Sequence, residues 1–153
     1  MEEKIVYRRV GGDSPAFTGL CRELDGWLLE TVGKAALAPY EELNQAVGVK
    51  DAFLAFFGNE AVGCVCLKVY DGETAEMKRF FVREGFRGRG IARGLFETLE
   101  AFARERGYKR LILETDEMLS AAVRFYRKAG FEMIENYGPY EKMEKSLCMG
   151  KLL

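Results

Sequence analysis

The sequence predicts a single mixed α/β domain, in which a central and mostly antiparallel sheet of about six to seven strands is flanked by about four helices. Two observations support this prediction. The patterns along the chain follow the order of a strand, two helices, three antiparallel strands, and then helices and strands in alternation. The chain has 153 residues, 48% apolar and 31% charged, and no linker, repeat or low-complexity tract divides residues 1–153. One core is therefore expected.

The first part of the chain predicts one strand and two helices. Residues 4–10 alternate loosely between apolar and polar, which is typical of a strand. Residues 13–15, Asp-Ser-Pro, begin a helix, because a capping residue precedes a proline whose missing N–H is tolerated in the first turn. Apolar residues then recur three and four positions apart, at Phe17, Leu20, Cys21, Leu24, Trp27 and Leu28. A second, short helix is predicted after Pro39, extending to Val47.

Three consecutive antiparallel strands are predicted in the middle of the chain. They cover residues 52–57, 61–69 and 74–82. The intervening segments, 58–60 and 71–72, contain glycine beside asparagine or aspartate, which favours tight turns.

The last part of the chain alternates helices with strands. A helix runs from Ile91 to Gly107, a buried strand covers residues 109–115, and a second helix ends at Gly130. Strands are expected at 131–134 and 144–152.

The hexapeptide Arg87–Ala92 lies between a predicted strand and a predicted helix. The crossover from residues 74–82 to residues 109–115 places this segment at the carboxyl end of a strand, where open α/β sheets bind ligands. Gly88 and Gly90 allow close backbone approach, and the following helix offers unpaired N–H groups to an anion. The arginines at 87, 89 and 93 add positive charge. The segment predicts a phosphate site, although a basic surface turn before a helix would have the same residues.

Composition excludes several function classes. The net charge of −1 provides no field that would recruit nucleic acid or an anionic membrane. No apolar run is long enough to span a bilayer, and residues 1–4 are not followed by an apolar stretch, so neither a membrane anchor nor a signal peptide is expected. A cytoplasmic protein is predicted.

The chain contains no histidine, which excludes Ser-His-Asp and Cys-His catalysis and any histidine-based metal site. The four cysteines, Cys21, Cys64, Cys66 and Cys148, lack metal-site spacing and are predicted to be buried free thiols. No metal cofactor is therefore expected.

Three segments together resemble the GNAT superfamily of acyl-CoA-dependent N-acetyltransferases. They are Glu76–Val82, Arg87–Ala92 and Ala122–Phe131, and the likeness covers about residues 61–140. Asn136–Tyr140 and Ser146–Cys148 further resemble a subgroup of small bacterial members. The resemblance implies a GNAT-like fold, acetyl-CoA as cosubstrate, and transfer to a primary amine, expected to belong to a small molecule, by direct attack in a ternary complex. A catalytically silent acyl-CoA-binding or regulatory module is the alternative.

The resemblance also implies which residues hold acetyl-CoA. The backbone of residues 80–82 would pair with the pantetheine arm like an added strand. The N–H groups of residues 87–92 would surround the pyrophosphate. For the side chains of Arg89 and Arg93, phosphate contact and plain surface exposure both remain open. The implied cofactor-binding residues are Phe80, Phe81, Val82, Arg87, Gly88, Arg89, Gly90, Ile91, Ala92 and Arg93.

Two residues are candidates for acid–base chemistry. The resemblance implies that Tyr126 protonates the leaving thiolate, although a tyrosine on an apolar helix stripe also suits plain packing. Glu76 is a plausible base for an ammonium substrate, because an amine must lose a proton before it attacks a thioester. A same-face pair of Glu76 with Lys78 would explain this glutamate equally well.

Acceptor-binding residues are predicted from charge and loop position. Glu114, with Asp116 and Glu117, would form an acidic rim that attracts a cationic acceptor, or only a solvated loop. Trp27, Tyr40, Tyr137 and Tyr140 could line an acceptor pocket. Trp27 is assigned to the core, because aromatic residues at helical spacing are more often core, whereas Tyr137 and Tyr140 flank a Gly-Pro turn and are expected in the wall or lid of the pocket.

Overall fold

Seven strands form one sheet in a computed structural model of the chain, which describes residues 4–153. The strands are β1 (Ile5–Val10), β2 (Asp51–Phe57), β3 (Glu60–Val69), β4 (Thr74–Val82), β5 (Arg110–Asp116), β6 (Glu132–Ile134) and β7 (Ser146–Leu152). The helices are α1 (Pro15–Val32), α2 (Lys34–Leu37), α3 (Ile91–Glu105) and α4 (Ser120–Lys128). Short 3₁₀ turns occupy Ala38–Tyr40, Glu84–Phe86 and Gly138–Tyr140. The signal-peptide expectation falls mainly on residues 1–3, which lie outside the described residues.

The strand order is β1-β2-β3-β4-β5-β7-β6, and every neighbouring pair is antiparallel except β4 with β5. The predicted fold class, a mixed and mostly antiparallel sheet with four helices, is confirmed. None of the helices within residues 4–153 is both long and apolar enough to cross a membrane.

The helix predicted after Pro39 is wrong. The short helix α2 precedes this proline, and residues 41–50 form turns rather than a helix. Val47 is 72% exposed, so the apolar spacing does not correspond to a buried face. A short helix without a packed face is marginal in water, and Gly48, at φ 77°, takes the left-handed conformation of a turn.

The helices cover both faces of the sheet. On one face, Phe17, Leu20 and Leu24 of α1 pack with Cys64 and other residues of β2, β3 and β4. On the other face, buried residues of α3 pack against the sheet together with the aromatic side of α4, through Ile91, Leu95, Phe96, Leu99, Phe125, Tyr126 and Phe131. The two layers bury the apolar side chains of the central strands on both faces.

The sheet divides between β4 and β5. The two strands pair only along Thr74–Glu76, opposite Arg110–Ile112. Beyond Glu76, β4 continues to Val82 and β5 continues to Asp116 without further pairing between them. The β4 edge from Met77 onward therefore faces a gap instead of a neighbouring strand.

A β-bulge lies on β4 beside this gap. Cys66 of β3 pairs with Lys78, but Cys64 pairs with Phe81, so two residues of β4 oppose the single residue Val65. Arg79, one of the two bulged residues, has φ 58°.

Candidate active site

A cavity of about 660 Å³ fills the gap between β4 and β5. Its walls come from β4, the end of β5, α1, α4 and the loop before α3. Residues that line it include Trp27, Tyr40, Glu76, Phe80, Phe81, Val82, Arg87, Gly88, Ala92, Glu114, Asp116, Leu119, Tyr126 and Tyr140. The cavity brings together the cofactor loop and most of the predicted catalytic and acceptor residues.

The loop before α3 has the geometry of an anion site at one end of the cavity. Gly88 and Gly90 have φ 78° and 79°, and a Cβ at either position would meet no atom within 4 Å. Gly90 precedes the first turn of α3, and no side chain within residues 4–153 caps that turn. The first N–H groups of α3 are therefore available for an anion.

Arg87 is fixed at the edge of the cavity. Its Nε donates to the carbonyl oxygen of Val82 at 2.9 Å, and its guanidinium lies 5.0 Å from the centre of the Trp27 ring. Trp27 was expected in the core, but it is only half-buried and forms part of the cavity wall.

The side chains of Arg89 and Arg93 lie outside the cavity. Arg93 pairs with Glu97 at 2.9 Å, and Arg89 stacks over Phe86 at 5.1 Å; both are exposed. The Ile91 side chain is buried in the core, which leaves its backbone N–H as its polar group near the loop.

Glu76 is a buried carboxylate at the gap. It is 8% exposed, and its Oε2 accepts a 2.6 Å hydrogen bond from the Tyr137 hydroxyl. Lys78 donates to the Leu43 carbonyl oxygen instead, and among residues 4–153 no ion pair joins Lys78 to Glu76. Burial also lowers the pKa of Lys78. Glu76 is therefore not held by the lysine two residues away.

A second carboxylate, Glu114, belongs to a chain of hydrogen bonds. Ser146 Oγ donates to Glu114 Oε2 at 2.7 Å, and the Tyr40 hydroxyl lies 2.9 Å from the same Oγ. Because the serine proton is engaged by the carboxylate, Tyr40 is the donor to Ser146. Burial raises the pKa of Glu114 to about 7. Asp116 lines the cavity as well, whereas Glu117 is exposed outside it.

Tyr126 lies on the α4 side of the cavity. Its ring contacts those of Phe80 and Phe131, with centroid distances of 6.2 and 5.9 Å. Burial, with a smaller effect from Glu114, raises the pKa of Tyr126, so the phenol is protonated at neutral pH. Tyr126 therefore both packs against neighbouring aromatic rings and lines the cavity.

The segment from Asn136 to Ser146 hydrogen-bonds to both carboxylates, through Tyr137 to Glu76 and through Ser146 to Glu114. The Asn136 amide nitrogen donates to the carbonyl oxygens of Tyr140, Met143 and Ser146 at 3.1, 3.1 and 3.2 Å. Tyr140 lines the cavity, but Tyr137, expected in the pocket wall, lies behind Glu76. Neither Asn136 nor Ser146 is among the predicted site residues, although both belong to the segments that resemble the bacterial subgroup.

The potential metal ligands that the structure describes, the cysteines among them, form no metal site. Within residues 4–153, no group of three or more His, Cys, Asp or Glu residues is arranged to hold a metal ion. All four cysteines are free; three are buried and Cys21 is half-buried.

Comparison with known sequences finds a matching family profile and similar proteins. The profile of a family described as Acetyltransferase (GNAT) family matches residues 21–131. An IAA acetyltransferase from Azospirillum brasilense is 39% identical over 93 residues. That match covers 60% of this chain and 61% of the relative, so the chain spans less than two thirds of the relative's length.

Two solved structures resemble this fold over nearly the whole chain. A Klebsiella pneumoniae protein described as an acyl-CoA N-acyltransferase has a TM-score of 0.82 and 25% identity, with 97% of each chain covered. A GNAT family acetyltransferase from Elizabethkingia anophelis, solved with acetyl-CoA bound, has a TM-score of 0.72 and 22% identity, with 97% of this chain and 98% of that one covered. The second likeness supports the fold alone.

Proposed function

Because this chain belongs to the GNAT family of acetyltransferases, we propose that it transfers an acetyl group from acetyl-CoA to a primary amine of a small-molecule acceptor. The observation that carries the proposal is the gap between β4 and β5. This gap leaves a strand edge unpaired and leads to a loop with two left-handed glycines and an uncapped helix N-terminus.

The residues at the gap fit acetyl-CoA. The backbone of Phe80–Val82 would bind the amide groups of the pantetheine arm, because an unpaired strand edge accepts an extended ligand through main-chain hydrogen bonds. The N–H groups of Gly88–Ala92 and the guanidinium of Arg87 would bind the pyrophosphate. We assign no contact to the side chains of Arg89 and Arg93.

Glu76 would accept the proton of the ammonium group, directly or through a water molecule. Its carboxylate lines the cavity and is oriented by Tyr137, while its other oxygen remains available toward the acceptor. The neutral amine then attacks the thioester carbonyl to form the new N–C bond, and the C–S bond breaks as the tetrahedral intermediate collapses. The nitrogen loses its second proton to solvent, which in turn restores the proton that Tyr126 gives to the thiolate. Acetyl-CoA supplies the activated acyl group in this step.

Tyr126 would return a proton to the leaving thiolate. The raised pKa of its phenol keeps the hydroxyl protonated at neutral pH, as a general acid requires. Its hydroxyl has no hydrogen-bond partner among residues 4–153, so it is free to donate to a ligand in the cavity.

The acceptor would occupy the end of the cavity formed by Glu114, Asp116 and Tyr140. Asp116 beside Glu76, together with Glu114 when it is ionised above its pKa of about 7, gives this end a negative potential that favours a cationic amine. Tyr137, placed behind Glu76, would support the acceptor site rather than contact the amine.

Binding and turnover test the proposal separately. Acetyl-CoA should raise the melting temperature, by an amount that grows with the logarithm of its concentration above the Kd, and coenzyme A thiol should be released when a panel of small primary amines is added. A chain that millimolar acetyl-CoA does not stabilise would contradict the cofactor assignment. Stabilisation without thiol release from any amine would support the silent acyl-CoA-binding module instead.

A further inference from the structure

Arg79 has a backbone conformation that its side chain disfavours. Its φ of 58° is the only positive value for a non-glycine residue among residues 4–153. In this region an L-residue places its Cβ close to the following carbonyl oxygen, so the conformation persists only where surrounding contacts impose it. Arg79 lies in the bulge of β4, within the unpaired edge that begins at Met77 and immediately before Phe80–Val82.

Hydrogen bonds hold both the side chain and the backbone of Arg79. Its Nη2 donates to Asp25 Oδ1 and to the Cys21 carbonyl oxygen of α1, both at 2.7 Å. Its own carbonyl oxygen accepts a 3.3 Å hydrogen bond from Cys64 Sγ of β3. The side chain is 5% exposed. Helix α1 and strand β3 therefore both hold the bulge, at a position where Arg79 and α1 also line the cavity.

We propose that Arg79 is a positioning residue, whose side chain locks the β4 bulge so that the Phe80–Val82 backbone is preorganised to receive the pantetheine arm. The inference rests on the proposed function, since it concerns how the same site binds acetyl-CoA. Arg79 acts through the backbone of its neighbours, because its guanidinium is engaged by α1. Preorganisation of this kind strengthens binding by lowering the entropy lost when the ligand binds.

The competing explanation is that Arg79 only ties α1 to the sheet. Arg83 offers a matched control, because it also joins α1 to the end of β4. Its Nε and Nη2 donate to Glu23 at 2.9 and 2.8 Å, and it pairs with Glu60 of β3 at 3.3 Å. Its φ is −54°, so this tie imposes no left-handed backbone.

The test compares two ligands by calorimetric titration of Arg79→Ala and Arg83→Ala. One ligand is acetyl-CoA, and the other is 3′-phospho-ADP, which carries the phosphates of the cofactor without its pantetheine arm. Arg79→Ala should raise the Kd for acetyl-CoA about tenfold and that for 3′-phospho-ADP less than about twofold, because only the first ligand uses the bulge. Arg83→Ala should change neither Kd, even if it lowers the melting temperature. The proposal would be overturned if Arg79→Ala raised the Kd of both ligands by the same factor. It would also be overturned if Arg83→Ala raised the Kd of acetyl-CoA but not that of 3′-phospho-ADP.

Two further measurements keep the outcome decisive. If Arg79→Ala does not fold, Arg79→Gly replaces it, because glycine accepts this φ without strain but lacks the guanidinium; the same difference between ligands is expected. Amide hydrogen exchange of residues 79–82 in the ligand-free protein should be faster in the Arg79 variant and unchanged in Arg83→Ala. Unchanged exchange rejects the locked bulge. If the native chain does not bind acetyl-CoA, the proposed function fails, whereas exchange still decides whether Arg79 fixes the backbone.

Discussion

The Tyr137 hydroxyl donates a 2.6 Å hydrogen bond to Glu76 Oε2, across 61 positions of the chain. This contact brings the segment after β6 against the carboxylate that lines the gap between β4 and β5. Burial and the charge of Glu76 raise the pKa of Tyr137, so this phenol acts as a hydrogen-bond donor throughout the neutral range. The orientation of the proposed base is therefore set by a residue outside the cavity.

Replacing Tyr137 by Phe should lower kcat/KM for the amine about tenfold, because Glu76 loses the donor that fixes one of its oxygens. The Kd for acetyl-CoA should not change, since Tyr137 lies outside the cavity wall. Steady-state rates and titration measure the two effects. Tyr70→Phe is the control, because the Tyr70 ring packs edge-on against Tyr137 at 5.4 Å without joining this hydrogen bond. Equal rates in the native chain and Tyr137→Phe would contradict the positioning role.

Replacing Tyr126 by Phe should lower kcat about a hundredfold and leave the Kd for acetyl-CoA nearly intact, because the ring packing is kept and only the proton donor is lost. Single-turnover rates with acetyl-CoA and an accepted amine measure the chemical step. Tyr108→Phe serves as a control, since Tyr108 packs on the same core but does not line the cavity. An unchanged single-turnover rate in Tyr126→Phe would reject the acid role.

Gly90 and Gly85 form a matched pair for testing the loop. A Cβ at either position would meet no atom within 4 Å, but only Gly90 has a left-handed φ, 79°. Gly90→Ala should therefore destabilise the observed loop by about 1–2 kcal/mol and weaken acetyl-CoA binding about tenfold. Gly85→Ala should have little effect on either quantity. Similar Kd values for the two variants would show that the left-handed turn does not shape the phosphate site.

Glu114 should make stability depend on pH in a defined direction. Burial raises its pKa from 4.5 to about 7, so the folded state keeps a proton that the unfolded chain has already released in this window. The contribution of Glu114 to the free energy of unfolding is fully present below about pH 4.5 and is lost as pH rises through about 7. Glu114→Gln removes this titration.

The Glu114→Gln variant should therefore gain stability relative to the native chain as pH rises through this range, by up to about 3 kcal/mol. Urea unfolding at intervals of pH measures the difference. Glu117→Gln, at an exposed neighbouring position outside the cavity, should give a curve parallel to that of the native chain. A parallel curve for Glu114→Gln would contradict the burial of its charge.

Most of the fold follows from local patterns in the sequence. Strand 74–82 and the helix that begins at Ile91 lie where the sequence predicts them. The strand is buried on both faces between the helix layers, and the helix buries one apolar face. The helix predicted after Pro39 does not form, and Val47, at the end of its predicted apolar face, is exposed. Spacing indicates which residues could share a face, but tertiary packing decides whether that face has a partner.

The site was only partly predictable. The Arg87–Ala92 loop could be proposed from the sequence because its glycines and its position before a helix are local features. Arg79 was missed because its partner Asp25 lies 54 positions away, and a left-handed arginine has no local signature. Trp27 was assigned to the core because an apolar helix stripe looks the same whether it faces the interior or a cavity.

The three hydrogen bonds of Asn136 make the following segment a separable module for engineering. Its ends are secured by Asn136 and by Ser146, and its Tyr140 reaches the acceptor end of the cavity. The proposed acetyl-CoA contacts lie elsewhere in the chain, between residues 80 and 92 and at Tyr126. Residues 138–145 can therefore be randomised, with Asn136, Tyr137 and Ser146 retained, as a library that alters amine preference while donor binding is preserved.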